Sequence, residues 1–360
     1  MNDNNIAIFQ ILLPHYRTEF FNQIKEKCGS LDLYTCEKNA TKMGFKVELQ
    51  SKHLSNIMCH GICIYNPLPL IKGKYDTIVL LWHFAHLTTW LVLFTKWFHK
   101  KKVILWGQGI SVKRYLKEEK KADWKLSLML KFADGAWLYT ENEKIMWRNR
   151  YPRKQLVALG NTISGVSDIL RVSARGLNKD EKIFLKNKYK IKQEIIFIFC
   201  ARFESNNRRT DLLLESIRRL ETSNVGFVII GAGSDKPDFS TYSNVYDFGA
   251  VYDSDIKKEL FGLADAYYQP GWVGLSIVEA MAYGKAILTY KRRADIMQCV
   301  EYGYLKDNYN ALLFNNVDEF VSSTISRDKN DYILLGNNAR QYVLDNLSME
   351  RMSNNAISIL

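Results

Sequence analysis

The chain has 360 residues, of which 47% are hydrophobic and 24% are charged. This length exceeds one ordinary compact core and favours two domains, and the composition excludes disordered and fibrous proteins. The net charge is +12, and residues 1–160 carry nearly all of it, with about 25 Lys plus Arg against about 13 Asp plus Glu. Such one-sided charge fits an anionic membrane surface, a nucleic acid or a phosphorylated substrate.

The cysteine pattern and the apolar runs bear on location. Six cysteines stand at irregular spacing, and no secretory-type apolar stretch opens the chain, so we expect a reduced, cytoplasmic protein. No window reaches the roughly 18 apolar residues of a membrane-spanning helix. The nearest, residues 87–98, precedes Lys100, Lys101 and Lys102. It is expected to be a core helix or a helix lying on the inner face of the plasma membrane.

The first half alternates short apolar runs with helical spacing, which predicts a parallel α/β sheet. The predicted elements are strand 6–13, helix 19–27, strand 77–82, helix 87–98, strand 103–106, strand 133–140, helix 141–150 and strand 156–159.

The periodicity weakens between residues 165 and 178, where we place a domain boundary. A second doubly wound sheet then begins, and ligands of such open sheets bind beyond the carboxyl ends of the strands. Its predicted elements are strand 195–200, helix 209–220 and strands 225–230, 244–248, 264–268 and 286–290.

The segment QPGWVGLSIVEAMAYGKAILT, at 269–289, is the most informative one. A short strand ends at Pro270, a glycine loop follows, and a helix begins near Leu275. Unpaired amides at a helix start favour a diphosphate. Glu279 lies about one turn inside the helix, where a buried carboxylate needs a partner that ribose hydroxyls could supply. The alternative is a core helix with one structural glutamate.

This segment resembles the donor-site motif of the retaining GT-B glycosyltransferases, especially glycosyltransferase family 4, in which EAMA followed by Gly recurs. Upstream, CARFESNNRRTDLLLESI resembles the family's strand, arginine and, six positions later, lysine. Those positions are Arg202 and Arg208 here, with arginine replacing lysine. Two such cations would bind the donor diphosphate without a metal ion.

Further segments match family landmarks in family order. They are HYRTEFF at 15–21, WGQG at 106–109, ADGAWLYTENE at 133–143, LGNT at 159–162, GAGS at 231–234 and ADAYYQP at 264–270. The resemblance implies the GT-B fold, an α/β architecture of two doubly wound Rossmann-like domains facing a central cleft. It divides the chain into an acceptor-binding domain (1–168), a nucleotide-sugar-binding domain (169–346) and a C-terminal helix (347–360) that returns to the first domain.

Two positions depart from the family pattern. The first glutamate of the family's E-x7-E is Gly271 here, so backbone amides of 271–274 are expected to hold the donor sugar instead. The histidine of WGHG is Gln108, so its function could pass to His83 or His86, although a histidine beside an apolar helix is more often structural. The candidate acceptor-side residues are His15, Tyr16, Arg17, His83 and Gln108.

The remaining expectations concern donor contacts and metal. Asp253, Ser254 and Asp255 spell a metal-binding DxD, but they precede a helical stretch and are predicted to cap it. No metal or other cofactor is therefore expected. The candidate catalytic residues are Arg202, Arg208 and Glu279, and the candidate donor-binding residues are Gly231, Pro270, Gly271, Gly274, Leu275, Ser276 and Glu279.

The resemblance implies transfer of a sugar from a nucleotide diphosphate sugar to a saccharide acceptor, with retention of anomeric configuration. The acceptor is expected to be lipid-linked, in surface polysaccharide, lipopolysaccharide or glycolipid synthesis. An anionic membrane surface is the expected partner of the basic first half, and nucleic acid is not. Two other functions fit the sequence: a catalytically impaired nucleotide-sugar-binding module and a nucleotide-sugar isomerase on the same fold.

Overall fold

Short runs of buried aliphatic and aromatic residues form two parallel sheets in a computed structural model, which describes residues 2–36 and 49–360. The strands are β1 (Asn2–Gln10), β2 (Cys28–Thr35), β3 (Lys52–His53), β4 (Asn56–Cys59), β5 (Ile62–Tyr65), β6 (Thr77–Leu81), β7 (Lys102–Trp106), β8 (Gly135–Leu138), β9 (Gln155–Ala158), β10 (Ile195–Cys200), β11 (Val225–Ile230), β12 (Val245–Asp247), β13 (Ala266–Tyr268), β14 (Ala286–Tyr290) and β15 (Ala311–Phe314).

Helices connect these strands and cover both faces of each sheet. They are α1 (Thr18–Lys27), α2 (Leu68–Lys72), α3 (Leu87–Phe94), α4 (Lys96–His99), α5 (Tyr115–Glu118), α6 (Trp124–Phe132), α7 (Glu141–Arg150), α8 (Val166–Val172), α9 (Lys179–Lys188), α10 (Thr210–Arg219), α11 (Ser254–Leu263), α12 (Ser276–Ala282), α13 (Val317–Ser326), α14 (Lys329–Asn346) and α15 (Met349–Ile357). None of the described helices is long and apolar enough to cross a membrane.

The first unit comprises Met1–Gly165 together with Ser348–Leu360. Its sheet has the strand order β3-β2-β1-β6-β7-β8-β9, and every pair is parallel. The chain builds outwards from β1 in one direction and from β6 in the other. The switch point of the sheet, where ligands of such folds bind, therefore lies between β1 and β6.

The C-terminal helix α15 belongs to the first unit. Met352 and Ala356 are fully buried in the same core as Trp137, and the indole Nε1 of Trp137 donates to the carbonyl of Ala356 at 3.1 Å. Without α15, one side of this core would be exposed to solvent.

The second unit comprises Val166–Leu347. Its parallel sheet has the order β12-β11-β10-β13-β14-β15, which places its switch point between β10 and β13. The domain boundaries expected from sequence, at residues 168 and 346, lie close to the limits of these units.

The secondary structure differs from the sequence prediction in several places. Strands β2, β3, β4, β5 and β15 were not predicted, and helix α8 occupies part of the stretch expected to lack periodicity. The single helix expected at 87–98 is interrupted at Thr95, whose backbone (φ −91°, ψ 10°) leaves the helical range and whose hydroxyl bonds the carbonyl of Leu91 at 2.8 Å.

Candidate functional site

Two predicted arginines lie on the loop that follows β10. Arg208 ends a short 3-10 turn (Asn206–Arg208), and its Nη1 donates to the carbonyl of Trp272 at 3.1 Å. The side chain of Arg202 is about half exposed, and its Nη1 lies 3.9 Å from a carboxylate oxygen of Glu204. Because β10 and β13 are adjacent and parallel, this loop and the loop after β13 meet at the switch point of the sheet.

Gln269 organises the loop after β13, and its role was not predicted. Its buried amide donates to the carbonyls of Gly271 at 3.0 Å and Trp272 at 2.7 Å. Its Oε1 accepts from the hydroxyls of Tyr267 at 2.7 Å and Ser276 at 2.9 Å. The side chain thus ties β13, the glycine loop and the first residue of α12 together. The feature of the sequence that could have indicated this role is the position of a polar residue between an apolar strand and a proline.

Close backbone contacts explain two of the predicted glycines. A Cβ atom on Gly271 would lie 2.4 Å from the carbonyl oxygen of Asn207, so any side chain there would push the arginine loop away. Gly231 follows β11 with φ +152°, and a Cβ atom there would lie 2.0 Å from the carbonyl oxygen of Ala201. Glycine at position 271, where the family commonly has glutamate, is therefore required by the packing of the two loops.

The backbone amides of residues 271–274 are only partly available to a ligand. The amide of Trp272 donates to the carbonyl of Met297 at 2.9 Å, and that of Val273 donates to Oε1 of Gln298 at 2.7 Å. We expected the amides of residues 271–274 to hold the donor sugar. The amides of Trp272 and Val273 already donate to acceptors within the protein, so that expectation is wrong for these two. Pro270 is buried beneath the loop, whereas Gly274, Leu275 and Ser276 are half-buried at the start of α12.

Glu279 has a protein partner that the sequence did not reveal. Nζ of Lys257, on α11, lies 2.6 and 2.8 Å from the two carboxylate oxygens of Glu279. Burial, the largest single influence, would lower the pKa of Lys257, but the charge and hydrogen bond of Glu279 together with the charges of Cys200 and Tyr283 outweigh it, and the pKa is raised. The sequence predicted a ribose as the partner of this carboxylate. In the structure, Lys257 already contacts the carboxylate of Glu279 and neutralises its charge.

The charged side chains converge on the carboxyl end of β10. Burial raises the pKa of the Cys200 thiol to about 12; Lys257 and Arg208 oppose this rise and Glu279 adds to it. The structure therefore places Arg208, Lys257 and Glu279 within electrostatic reach of one residue, the half-buried Cys200. Two of the three predicted catalytic residues are thereby brought together, and Lys257 joins them.

Asp253 caps helix α11, as predicted. Its Oδ1 accepts from the amides of Asp255 at 2.8 Å and Ile256 at 3.0 Å, so the carboxylate serves the helix start. Among the described residues, no group of three or more His, Cys, Asp and Glu side chains is placed to hold a metal ion.

The acceptor-side candidates lie at the carboxyl edge of the first sheet. His15 and Tyr16 follow β1, His83 follows β6 and Gln108 follows β7, so they surround the switch point between β1 and β6. His15 and His83 are exposed, and Tyr16 and Gln108 are half-buried. This arrangement leaves four of the five candidates accessible to a ligand.

Arg17, the fifth candidate, is enclosed by protein. Only 4% of the residue is exposed, and its guanidinium donates to Oδ1 of Asn161 and, at 3.3 Å, to the sulfur of Met352. It also lies over the rings of Trp106 and Tyr139, each 5.6 Å away. Arg17 therefore ties α15 to the sheet edge, and it is not placed to contact an acceptor directly.

His86 is a buried histidine directly beside His83. It is 4% exposed, and its Nδ1 has no hydrogen-bond partner among the residues that the structure describes. Burial, and then the charge of His83, lower the pKa of His86 to about 4. His86 is therefore neutral at neutral pH, and His83 is the histidine with an open face.

Helices α3 and α4 expose an apolar patch next to lysine. We call Leu91, Phe94, Trp97, Phe98 and Lys100 the aromatic–basic surface. Half of Leu91 and of Phe94, and 72% of Trp97 and of Phe98, are exposed. These exposed residues lie outside the core, whereas Val92 and Leu93 of the same helix α3 are buried in it, so the core-helix alternative holds for one face of the helix. Large exposed apolar patches mark interaction sites.

The neighbouring lysine differs from the rest of the basic run. Nζ of Lys101 donates to the carbonyls of Gly73 and Tyr75, both at 2.7 Å. Lys101 thus stabilises the connection between α2 and β6. Its ammonium group is engaged by these two carbonyls, whereas Lys100 is exposed to solvent.

Part of the chain matches a known family, and its fold matches solved structures. Residues 194–326 match the model described as glycosyl transferases group 1. No curated protein matches the sequence. HepE of Anabaena in complex with UDP has 12% identity and a TM-score of 0.68, with 98% of each chain covered. A glycosyltransferase from Rickettsia africae has 16% identity and a TM-score of 0.66, with 100% of this chain and 98% of that one covered.

A third similar structure contains both a nucleotide and saccharides. It is TarM of S. aureus with fondaparinux, alpha-GlcNAc-glycerol and UDP, at 13% identity and a TM-score of 0.61, with 99% of each chain covered. These similarities confirm the expected fold class. The chain has the GT-B fold, and residues 194–326 of its second unit match the model described as glycosyl transferases group 1.

Proposed function

We propose that this protein transfers a sugar from a nucleoside diphosphate sugar to a saccharide acceptor. The observation that carries the proposal is the meeting of Arg208, Lys257 and Glu279 at the switch point of the second sheet. All three lie in the segment that matches glycosyl transferases group 1. HepE, which shares the fold, has been solved with UDP and with UDP-glucose, which supports a donor of this chemical class.

Each side chain has a distinct part in the proposed reaction. Arg202 and Arg208 bind the diphosphate and stabilise the negative charge that grows on the leaving phosphate, which removes the need for a metal ion. Glu279 keeps lone pairs beyond the two contacts from Lys257 and accepts from the ribose hydroxyls. Lys257 prevents an uncompensated carboxylate from repelling the diphosphate.

The transfer is proposed to retain the anomeric configuration. The bond between the anomeric carbon and the phosphate oxygen breaks, and the acceptor oxygen forms the new bond on the same face. The acceptor proton passes to the leaving phosphate oxygen. This front-face route needs no carboxylate nucleophile, and the carboxylate among the candidate donor-site residues, Glu279, is paired with Lys257.

The acceptor is proposed to be a lipid-linked saccharide, in surface polysaccharide or glycolipid synthesis on the inner face of the plasma membrane. His15, Tyr16, His83 and Gln108 would contact the saccharide at the switch point of the first sheet. The aromatic–basic surface would bind the anionic headgroup layer, with its rings in the interface and Lys100 on lipid phosphates. An enzyme attached there reaches an acceptor that never leaves the bilayer.

A two-stage assay tests the proposal. Purified protein is first screened by thermal shift with UDP, GDP, TDP and ADP sugars, because a ligand that binds the folded state raises the melting temperature. Release of nucleoside diphosphate on adding a saccharide acceptor then shows transfer. Binding without release would indicate an impaired binding module, and an isomerised sugar without acceptor would indicate an isomerase. No shift with any nucleotide sugar would contradict the proposal.

A further inference from the structure

The second unit contains another cavity, at the opposite edge of its sheet from the donor loops. Its volume is about 390 Å³, and its lining includes Ala264 and Asp265, just before β13, and Gly284 and Lys285, just before β14. These residues stand at the amino ends of the strands, whereas the donor loops follow the carboxyl ends. The cavity is therefore separate from the proposed donor site.

The lining of this cavity is strongly basic. One carboxylate, that of Asp265, faces five cations, and it is engaged by the amide of Ile196 at 2.8 Å. Of the cations, Arg175 is paired with Glu181 outside the cavity lining. The cationic lining residues are Arg175, Lys182, Lys258, Lys285 and Arg340.

Two of these cations are only partly satisfied by protein groups. Nζ of Lys285 donates to the carbonyl of Ala264 at 2.7 Å, which uses one of its three hydrogens. Nη2 of Arg340 donates to the carbonyl of Leu170 at 2.8 Å, but its buried Nε has no partner among the described residues. Burial lowers the pKa of Lys285 to about 8, with Asp265 opposing and Lys182 adding to the effect. Buried cationic groups that lack acceptors are costly unless an anion completes them.

We propose that this cavity binds a phosphate-bearing small molecule. Arg340 offers a planar fork suited to phosphate oxygens, and Lys182 and Lys285 add compact cations that favour a doubly charged anion over a single carboxylate. The cavity volume falls within the range of about 300–1,000 Å³ typical of small-molecule sites. The hydroxyl of Ser173, which also lines the cavity, donates to the carbonyl of Ala282 at 2.8 Å.

The site is adjacent to the helix that carries Glu279. Helix α12 begins at Ser276, beside the donor loop, and the chain leaves it through Tyr283, Gly284 and Lys285, which line the cavity. The cavity therefore borders the C-terminal end of the donor helix.

The test is a titration of the whole protein with inorganic phosphate at constant ionic strength, read as the rise in melting temperature. Four proteins are compared: wild type, Lys182→Gln, Lys285→Met and Arg208→Gln. Arg208→Gln removes a donor-site cation, so it separates this site from the proposed donor site. Lys182→Gln changes a half-buried residue on the outside of α9, so it tests the proposal even if Lys285→Met does not fold.

Wild type and Arg208→Gln are expected to show the same saturable rise. Lys182→Gln and Lys285→Met should need about tenfold more phosphate, which corresponds to about 1.4 kcal/mol for the loss of one charged contact. A rise that Arg208→Gln abolishes and Lys182→Gln retains would assign phosphate to the donor site and overturn the proposal. No rise in the wild type would overturn it as well.

Discussion

Glu279 and Lys257 form a two-pronged contact between α12 and α11, with 2.6 and 2.8 Å between the ammonium and the two carboxylate oxygens. Only 18% of the Glu279 side chain and 25% of the Lys257 side chain are exposed. The lysine thus fixes both the position and the charge of the carboxylate. Glu279 was recognised from a motif. Its position therefore depends on Lys257, which lies 22 positions earlier and belongs to no recognised motif.

Lys257→Met should lower the free energy of unfolding by about 1–3 kcal/mol, because it leaves a largely buried carboxylate without its cation. The raised pKa of Lys257 means that its stabilising contribution is fully present below its ordinary value of 10.5 and is lost as the pH rises above it. The difference between the two proteins in urea unfolding should therefore stay constant between pH 7 and about pH 9. No difference at pH 7 would show that the pair is not stabilising, and a difference that disappears before pH 9 would contradict the raised pKa of Lys257.

Arg208→Ala should lower kcat/KM for sugar transfer by about 10²–10³, because a preorganised charge is removed from the leaving phosphate. Arg202→Ala should also lower kcat/KM for sugar transfer. The matched control is Arg218→Ala, which removes an arginine on α10 that is 62% exposed and paired with Glu215. Unchanged turnover in Arg208→Ala, measured as nucleoside diphosphate release, would contradict its assignment.

Gly271→Ala should lower the melting temperature and weaken donor binding, because its Cβ would lie 2.4 Å from a backbone oxygen that cannot move aside cheaply. Gly274→Ala is the control for stability. Its Cβ would meet its nearest neighbour, Sγ of Cys299, at an ordinary 3.7 Å. Equal melting temperatures for the two variants would show that the loops are not packed as described.

Transfer should survive EDTA, because arginines neutralise the diphosphate. Asp253→Ala should cost about 1 kcal/mol of stability through loss of the cap and leave turnover at saturating substrate unchanged. If turnover were lost in EDTA and restored by manganese, Asp253 and Asp255 would become candidate metal ligands.

Trp97→Ser combined with Phe98→Ser should weaken cosedimentation with anionic vesicles, because both rings are 72% exposed on the aromatic–basic surface. Lys100→Gln should weaken it further at low salt, with the effect fading as salt screens the charge. Tyr252→Ser, which removes a 95% exposed ring from the second unit, is the control. Equal binding of wild type and the double variant would leave this surface without a membrane role.

The sequence predicted the strands that are buried on both faces, since continuous apolar runs such as 195–200 and 225–230 have few other interpretations. It missed β2, where Asp32 interrupts the apolar pattern but is paired with Lys52 at 2.7 Å. It placed Arg208 and Glu279 through a motif. It could not place Lys257 or Gln269, because their roles depend on which helix or loop they face, and that is decided by packing across the sheet.

The burial of α15 in the first unit also has a consequence for the order of folding. Met349, Met352 and Ala356 complete a core whose other buried members, including Phe20 and Trp137, all lie at or before Leu159, far earlier in the chain. During synthesis this core must wait, with part of its aromatic surface open to water, until α15 leaves the ribosome. The second unit has all of its own strands by then, so it can finish folding first although it is made second.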